Sequence, residues 1–244
     1  SGEAADRDRI SISFGDTTEM VFPPPRWSLD LYRQYFTEPE WLAATWLSLR
    51  VAAWTTGISL LLGIPAAYGL VRNRIRGRET VIGLLNSPLL VPELVMGLAL
   101  LQIIALLLLE PSILTLTLGH ILVCVPYVVR TMHAAIQGID ASVEEAAASL
   151  GAGRLQLYRT VVLPMVRPAL YVSLLFAFLM SFDNAVLSLF LVSARMQTLP
   201  ISVYNYVQYS LDPAIAAVST MLMAVSVLAL FLASRLLPME RLGR

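Results

Sequence analysis

Hydrophobic residues are concentrated in five long runs that are separated by shorter polar segments. The runs cover residues 51–71, 81–109, 113–132, 169–192 and 214–237. Each run is long enough for a membrane-spanning α-helix, which needs about 20 mostly apolar residues. The pattern therefore predicts an all-α, polytopic transmembrane helical bundle with five spans.

The distribution of arginine predicts how this bundle is oriented. Residues 72–80 contain four arginines and residues 133–168 contain three, whereas residues 193–213 contain one. Because cytoplasmic loops are enriched in basic residues, the arginine-rich side and the C-terminus are expected in the cytoplasm. The polar residues 1–40 then form an external N-terminal segment, ahead of a transmembrane domain at 41–244. An external segment followed by five spans indicates that a preceding helix is missing, or that the segment was translocated by another route; the first interpretation is preferred.

Composition excludes several classes of protein. Of the 244 residues 57% are hydrophobic and 14% charged, well below the roughly 25% charged residues of a soluble domain. All 17 basic residues are arginine, so the chain lacks the lysine of a P-loop ATPase. Zero net charge gives no reason to expect nucleic-acid binding. No metal site is expected, because Cys124 is the single cysteine and His120, in the third run, suits a hydrogen bond between helices.

The long cytoplasmic connection, residues 133–168, has the pattern of short helices. Ser142 and Glu145 have the spacing of a capping box, which predicts a helix start. The alanine-rich run that follows favours helix, and Gly151 and Gly153 are expected to end it in left-handed conformations.

A second short helix is predicted to begin near Arg154. Leu155, Tyr158 and Val162 recur at steps of three and four, which places them on one face. The connection would thus present a helix with exposed small residues on the cytoplasmic face. Such a helix suits docking of a soluble partner, and it also suits an ordinary amphipathic interfacial helix.

The same connection resembles the EAA loop of permease subunits in bacterial ABC importers. The matching positions are Glu145, Ala146, Ala147, Gly151, Val161, Val162, Leu163 and Pro164, with valine at 161 where the family has isoleucine. The resemblance implies a type I ABC importer permease fold of six spans, of which this chain matches all but the first. In that fold this loop is the coupling helix that docks on the ATPase subunit. It implies that Glu145, Ala146, Ala147, Gly151, Leu163 and Pro164 transmit the motion of the ATPase.

Further stretches are similar to permeases of the spermidine/putrescine branch, namely residues 87–97, 181–190 and 198–213. The resemblance implies a polyamine or another small organic cation as substrate, although related branches carry iron, thiamine or sulfate. It also implies a multi-pass protein of the bacterial inner membrane without enzymatic activity or a cofactor of its own. Its partners would be ATPase subunits that bind ATP and magnesium, a second permease of identical or different sequence, and an extracytoplasmic substrate-binding protein.

Two carboxylates lie inside the apolar runs. A charged residue at the bilayer centre costs about 2.5–3.5 kcal/mol, so Glu93 and Asp183 are expected to face a water-filled path, together with Asn184. The alternative is that they bond to backbone groups or cap helices where the spans break. Pro88 and Pro92 predict such a break in the second span.

Two other classes of membrane protein are alternatives to an ABC permease. A secondary transporter could use Glu93 or Asp183 as a proton relay and would need no ATPase. An intramembrane hydrolase would need a nucleophile and a base, and the chain contains neither a Gly-x-Ser-x-Gly nor a His-Glu-x-x-His motif.

Overall fold

A computed structural model describes residue 28 and residues 30–73, 75–193, 195–209 and 214–236. Within these ranges regular structure is helical, apart from one isolated bridge between Ser193 and Met196. The all-α prediction is therefore confirmed. The predicted C-terminus after residue 236, Asp212–Pro213 in the outer loop and most of the N-terminal segment lie outside the described residues.

The helices follow one another with short connections. They are α1 (Asp30–Thr37), α2 (Pro39–Arg72), α3 (Arg78–Asn86), α4 (Glu93–Leu106), α5 (Ile113–Gln137), α6 (Ala141–Ser149), α7 (Arg154–Leu157), α8 (Leu163–Met165), α9 (Arg167–Phe182), α10 (Ala185–Leu191), α11 (Leu199–Tyr209) and α12 (Ala214–Leu236). A 3₁₀ turn, Ser87–Leu90, follows α3, and a π turn, Tyr158–Val162, joins α7 to α8.

Two continuous helices, α2 and α5, are long and apolar enough to cross a membrane. Two more spans result if each bent pair counts as one. The chain turns by 99° between Arg78–Leu90 and Glu93–Leu106, and by 77° between Arg154–Met165 and Arg167–Phe182. In α12 the described apolar stretch, Ala217–Leu228, is shorter. The count of five spans therefore stays a prediction, whereas the predicted break at Pro88 and Pro92 is confirmed.

Two differences between the predicted and the observed organisation are large. The first long helix begins at Pro39 rather than at 51, because proline is favoured at the first position of a helix. The second difference is in the outer loop, where residues 193–213 contain the helix α11. Its Leu199 and Ile201 are almost completely buried, and the Leu199 N–H donates to Ser48 Oγ at 2.9 Å.

Helix α1 packs on the bundle, although it belongs to the predicted N-terminal segment 1–40. Tyr35 and Trp41 are buried in one cluster with Phe182, Leu199 and Val218. Aromatic side chains bury large apolar areas, which accounts for the attachment of so short a helix. Whether residues 1–40 are external stays a prediction.

The centre of the bundle is formed by α2, α5 and α9. Leu70, Met132, Ile136 and Ala177 belong to one buried cluster at the arginine-rich end. Close packing of α2 on α5 depends on Gly63, where a Cβ atom would lie 2.6 Å from Val128 Cγ1. Small residues of this kind let helices approach closely in membranes.

Candidate functional site

The predicted coupling loop, residues 133–168, contains α6, whose N-terminal cap differs from the prediction. The N-cap of α6 is Asp140, whose Oδ1 accepts from the Ser142 N–H at 2.9 Å. The predicted capping box of Ser142 and Glu145 is wrong, because the helix starts two residues earlier than that box requires. Hydrogen bonds from the Ser142 backbone and side chain lower the pKa of Asp140, so the cap is favoured as the carboxylate.

The end of α6 is closed by a Schellman motif. Gly151 has φ +87°, the Gly151 N–H donates to the Ala148 carbonyl at 2.9 Å, and the Ala152 N–H donates to the Ala147 carbonyl at 3.1 Å. A side chain at Gly151 would be strained in this conformation, which confirms the predicted left-handed stop there. The same prediction for Gly153 is wrong, since that residue has φ −67° and is the N-cap of α7.

Glu144, which the sequence analysis did not single out, attaches α6 to α2. Arg72 Nε donates to Glu144 Oε1 at 2.7 Å, and Tyr68 Oη donates to Glu144 Oε2 at 3.0 Å. Arg72 Nη2 also donates to the carbonyls of Ile136 and Ile139 at 3.3 and 2.9 Å. We call these contacts the Arg72–Glu144 clamp. It joins the end of one membrane helix to the coupling loop and to the end of another.

The six predicted coupling residues divide by exposure. Glu145, Ala146 and Gly151 are exposed. Ala147, Leu163 and Pro164 are partly buried. The neighbouring Leu150 is also exposed, with 90% of the residue accessible. The coupling loop therefore presents one apolar and acidic outer surface, while its other side packs on the bundle.

The predicted face of the second short helix is partly wrong. Leu155 is 65% exposed, whereas Leu157 and Val162 are buried. Leu155 and Leu157 both lie in α7, before the π turn, where side chains two positions apart point to nearly opposite sides, and Leu157 is the one that turns toward the bundle. Tyr158 remains partly buried and packs edge to face on Tyr68, with ring centroids 5.4 Å apart.

The predicted path residues lie at breaks in two different spans. Glu93 is the first residue of α4, directly after the break at Pro92. Asn184 is the N-cap of α10, and its Oδ1 accepts from the Leu187 N–H at 2.8 Å. Asn184 Nδ2 donates to Glu93 Oε2 at 3.4 Å. We call Glu93, Asp183 and Asn184 the break joint.

Asp183 stands apart from that hydrogen bond. Its backbone N–H closes α9 by donating to the Leu179 carbonyl at 3.0 Å, and its side chain is exposed. The structure thus brings Glu93 and Asn184 into contact and leaves the Asp183 side chain accessible beside them. The residue that caps a helix at this break is Asn184 and neither carboxylate, and a water-filled path beside Glu93 and Asp183 stays a prediction.

His120 bridges the two halves of the broken fourth span. Its Nδ1 is 2.8 Å from Ser181 Oγ on α9, and its Nε2 is 3.1 Å from Ser188 Oγ on α10. The imidazole is buried, with a residue exposure of 2%. The predicted helix–helix hydrogen bond of His120 is confirmed. No three His, Cys, Asp or Glu side chains in the described ranges come together as a metal site would require.

Gly97 allows α4 to pack closely against α10. A Cβ atom at Gly97 would lie 2.5 Å from Phe190 Cδ2, a distance that real structures do not tolerate. We expect Gly97→Ala to lower the melting temperature of the purified protein and the yield of assembled complex, because overpacking costs about 1–3 kcal/mol.

The matched control for this prediction is Gly83→Ala, since a Cβ atom at Gly83 meets nothing within 4 Å. The double variant Gly97→Ala with Phe190→Leu is expected to recover most of the loss. An equal effect of Gly97→Ala and Gly83→Ala on melting temperature would contradict the close-packing role.

Comparison with known proteins identifies the family of this chain. Residues 59–239 match the family described as binding-protein-dependent transport system inner membrane component. The spermidine/putrescine transport system permease protein PotC of Escherichia coli (strain K12) is 32% identical over 200 residues, covering 82% of this chain and 75% of the relative. The putrescine transport system permease protein PotI of the same strain is 32% identical over 204 residues, covering 81% and 73%.

A solved structure shares the fold. A bacterial ABC transporter involved in the import of the acidic polysaccharide alginate superimposes with a TM-score of 0.75 at 18% identity. The match covers 95% of this chain and 89% of the other. The predicted bundle of the ABC importer permease kind is therefore confirmed.

These findings decide between the classes of protein that the sequence left open. They confirm an ABC importer permease, as opposed to a secondary transporter or a hydrolase, and a transport subunit as opposed to an enzyme. They also confirm a multi-pass location in the inner membrane. The chain belongs to the family of inner membrane components of binding-protein-dependent transport systems, the permease subunits of ABC importers.

Proposed function

We propose that the chain forms half of the translocation path of an ABC importer for polyamines or other small organic cations. The break joint carries this proposal, because Glu93 and Asp183 place two carboxylates where two spans are interrupted. Irregular backbone at membrane depth is tolerated where it lines a cavity or is buried in protein. The relatives PotC and PotI, named as spermidine/putrescine and putrescine permeases, support a cationic substrate.

ATP would act through the coupling loop. In this proposal separate ATPase subunits bind ATP and magnesium and dock on the outer surface of α6, while the chain itself holds no cofactor. Exposed Leu150 and Leu155 support the docking role, since large aliphatic side chains that protrude from a loop gain free energy when a partner covers them. The Arg72–Glu144 clamp would pass the movement of α6 to α2 as a rigid body.

The other half of the path would come from a second permease. The α4 helix and the turn before it support this, because many of their apolar side chains are exposed in the single chain. They include Leu90, Leu94, Val95, Leu98 and Leu106. An extracytoplasmic binding protein would deliver the substrate to the outer loops, and the C-terminus would lie in the cytoplasm.

The proposal predicts ATP-dependent uptake of polyamines. The complete importer, with its ATPase subunits, second permease and binding protein, is reconstituted in liposomes, and entry of radiolabelled putrescine and spermidine is measured. We expect uptake with ATP, and none with a proton gradient or with a non-hydrolysable ATP analogue. Unlabelled polyamine should compete, whereas thiamine, sulfate and iron should not.

Three outcomes would overturn parts of this proposal. Competition by sulfate at concentrations where polyamine has no effect would exclude a cationic substrate, whereas competition by thiamine, itself an organic cation, would exclude only polyamines. Either result would leave the ABC permease in place. Uptake driven by a proton gradient with this chain alone would remove the dependence on ATPase subunits.

A further inference from the structure

A cavity of about 390 Å³ lies between α3, its following turn and α5, at the arginine-rich end of the bundle. Six of its nine lining residues are aliphatic, among them Leu85, Leu89 and Val129. The other three are Asn86, Arg130 and His133. The cavity thus combines an apolar wall with a polar, cationic part.

The cationic part is not neutralised by the protein. Arg78 Nη2 donates to His133 Nε2 at 3.0 Å, which adds a second guanidinium beside the cavity. The ion pair that forms among the described residues is Arg72–Glu144, so neither Arg78 nor Arg130 has a carboxylate within ion-pairing distance there. Two arginines next to a cavity without a counter-charge favour an anionic ligand.

Two buried polar atoms beside the cavity lack partners in the described structure. They are Asn86 Oδ1, an acceptor in the cavity lining, and Arg78 Nε, a donor on the side chain that bonds to the lining residue His133. A buried polar atom without a hydrogen bond is unfavourable, so a ligand that satisfies both atoms would be stabilised. A phosphate oxygen would accept from the arginine, and a hydroxyl group would donate to the asparagine.

We infer that this cavity binds an anionic phospholipid of the cytoplasmic leaflet, with a phosphate beside Arg78 and Arg130 and the start of an acyl chain along the aliphatic wall. A hydroxylated headgroup such as phosphatidylglycerol matches both unpartnered atoms. Inorganic phosphate would leave the aliphatic wall unused, and a cationic solute would be repelled by the arginines. The inference depends on the prediction that the arginine-rich side of the bundle faces the cytoplasm. It does not depend on which substrate is transported.

The test measures phosphatidylglycerol that stays bound to the complete importer. The complex is purified in lipid-free detergent, titrated with phosphatidylglycerol in mixed micelles, and examined by native mass spectrometry. Arg130→Gln and Arg78→Gln are each expected to weaken binding about fivefold, which is the effect of one basic residue near an anionic leaflet. Arg76→Gln, an exposed arginine of the same loop outside the cavity, is the matched control and should change little.

A second pair of variants changes the volume of a side chain without changing its charge. Leu89→Trp fills the cavity and should weaken phosphatidylglycerol binding, whereas Leu84→Trp, on a side chain 69% exposed, should leave it unchanged. This pair keeps the inference testable if an arginine variant does not assemble. Phosphatidylcholine in the same micelles should bind more weakly than phosphatidylglycerol.

Three results would overturn the inference. Equal losses for Arg130→Gln and Arg76→Gln would indicate general attraction to a negative surface. Displacement of the lipid by an excess of inorganic phosphate would assign the site to a free anion. Unchanged binding in Leu89→Trp would show that the acyl chain lies elsewhere.

Discussion

Replacing Glu144 with alanine is expected to uncouple uptake from ATP hydrolysis while leaving the ATPase subunits bound. The variant removes the acceptor of Arg72 and Tyr68 but leaves the exposed surface of α6 unchanged. Hydrogen bonds to charged groups contribute about 1.5–3 kcal/mol. The two side chains of the pair are only 20% and 12% exposed, so solvent screens them little. A loss of about 2 kcal/mol would make attachment of α6 roughly thirtyfold less favourable.

The neighbouring Glu145 provides the matched control. Glu145→Ala removes the same charge from the same helix, but this side chain is exposed and faces away from the bundle. We expect Glu145→Ala to weaken co-purification of the ATPase subunits and to leave α6 attached. Glu144→Ala should do the opposite.

Spin labels at Asn73→Cys and Ser149→Cys allow attachment to be measured directly. Electron-spin distance measurements between the two labels should give a narrow distribution in the parent and in Glu145→Ala, and a broad one in Glu144→Ala. The putrescine uptake per ATP hydrolysed is measured on the same complexes. A narrow distance distribution and normal uptake per ATP in Glu144→Ala would contradict the role of the clamp.

Removing a carboxylate from the break joint is expected to slow cation uptake on the order of tenfold, the effect of about 1.4 kcal/mol. This is a small part of the roughly 4 kcal/mol by which two unit charges interact at 4 Å in an effective dielectric of 20. Glu93→Gln removes the charge but keeps an oxygen that can accept from Asn184, so it separates charge from structure. Asp183→Asn tests the accessible carboxylate in the same way.

The experiment compares uptake rates of spermidine by reconstituted importers at equal amounts of assembled complex. Glu110→Gln carries the same change in charge at an exposed position outside α4 and is expected to transport normally. The polyamine concentration for half-maximal uptake should change less than the maximal rate, because an external binding protein captures the substrate. Normal maximal rates in both Glu93→Gln and Asp183→Asn would remove these carboxylates from the path.

Local chemistry explains the features that could be predicted from the sequence. Pro88 and Pro92 predicted the bend in the second span, because proline removes a backbone hydrogen bond wherever it lies inside a helix. Gly151 predicted the end of α6, because the left-handed conformation excludes most other residues. The glycine signal belongs to a single residue, whereas one proline does not by itself break a helix, since Pro65 and Pro126 lie inside the continuous helices α2 and α5.

Features that depend on distant contacts or on weak local signals were missed. Glu144 and Glu145 are equivalent in the sequence, and only the position of Arg72, 72 residues away, distinguishes them. The break at Asp183–Asn184 was read as part of a continuous span, since apolar residues on both sides dominate the hydropathy. The face of α7 that packs on the bundle also depends on distant contacts, which the steps of three and four do not specify, so the predicted position of Leu155 is wrong.

The amide of Asn184 sets the protonation chemistry available where the two interrupted spans meet. Its nitrogen donates to Glu93 while its oxygen accepts from the Leu187 N–H, so both ends of one side chain are in use. An aspartate there would preserve the second bond but would turn the first into a contact between two anions. That pair would have to share a proton or recruit a cation. Replacing this one NH₂ group with an oxygen would thus change which ions the translocation path favours, without altering either helix.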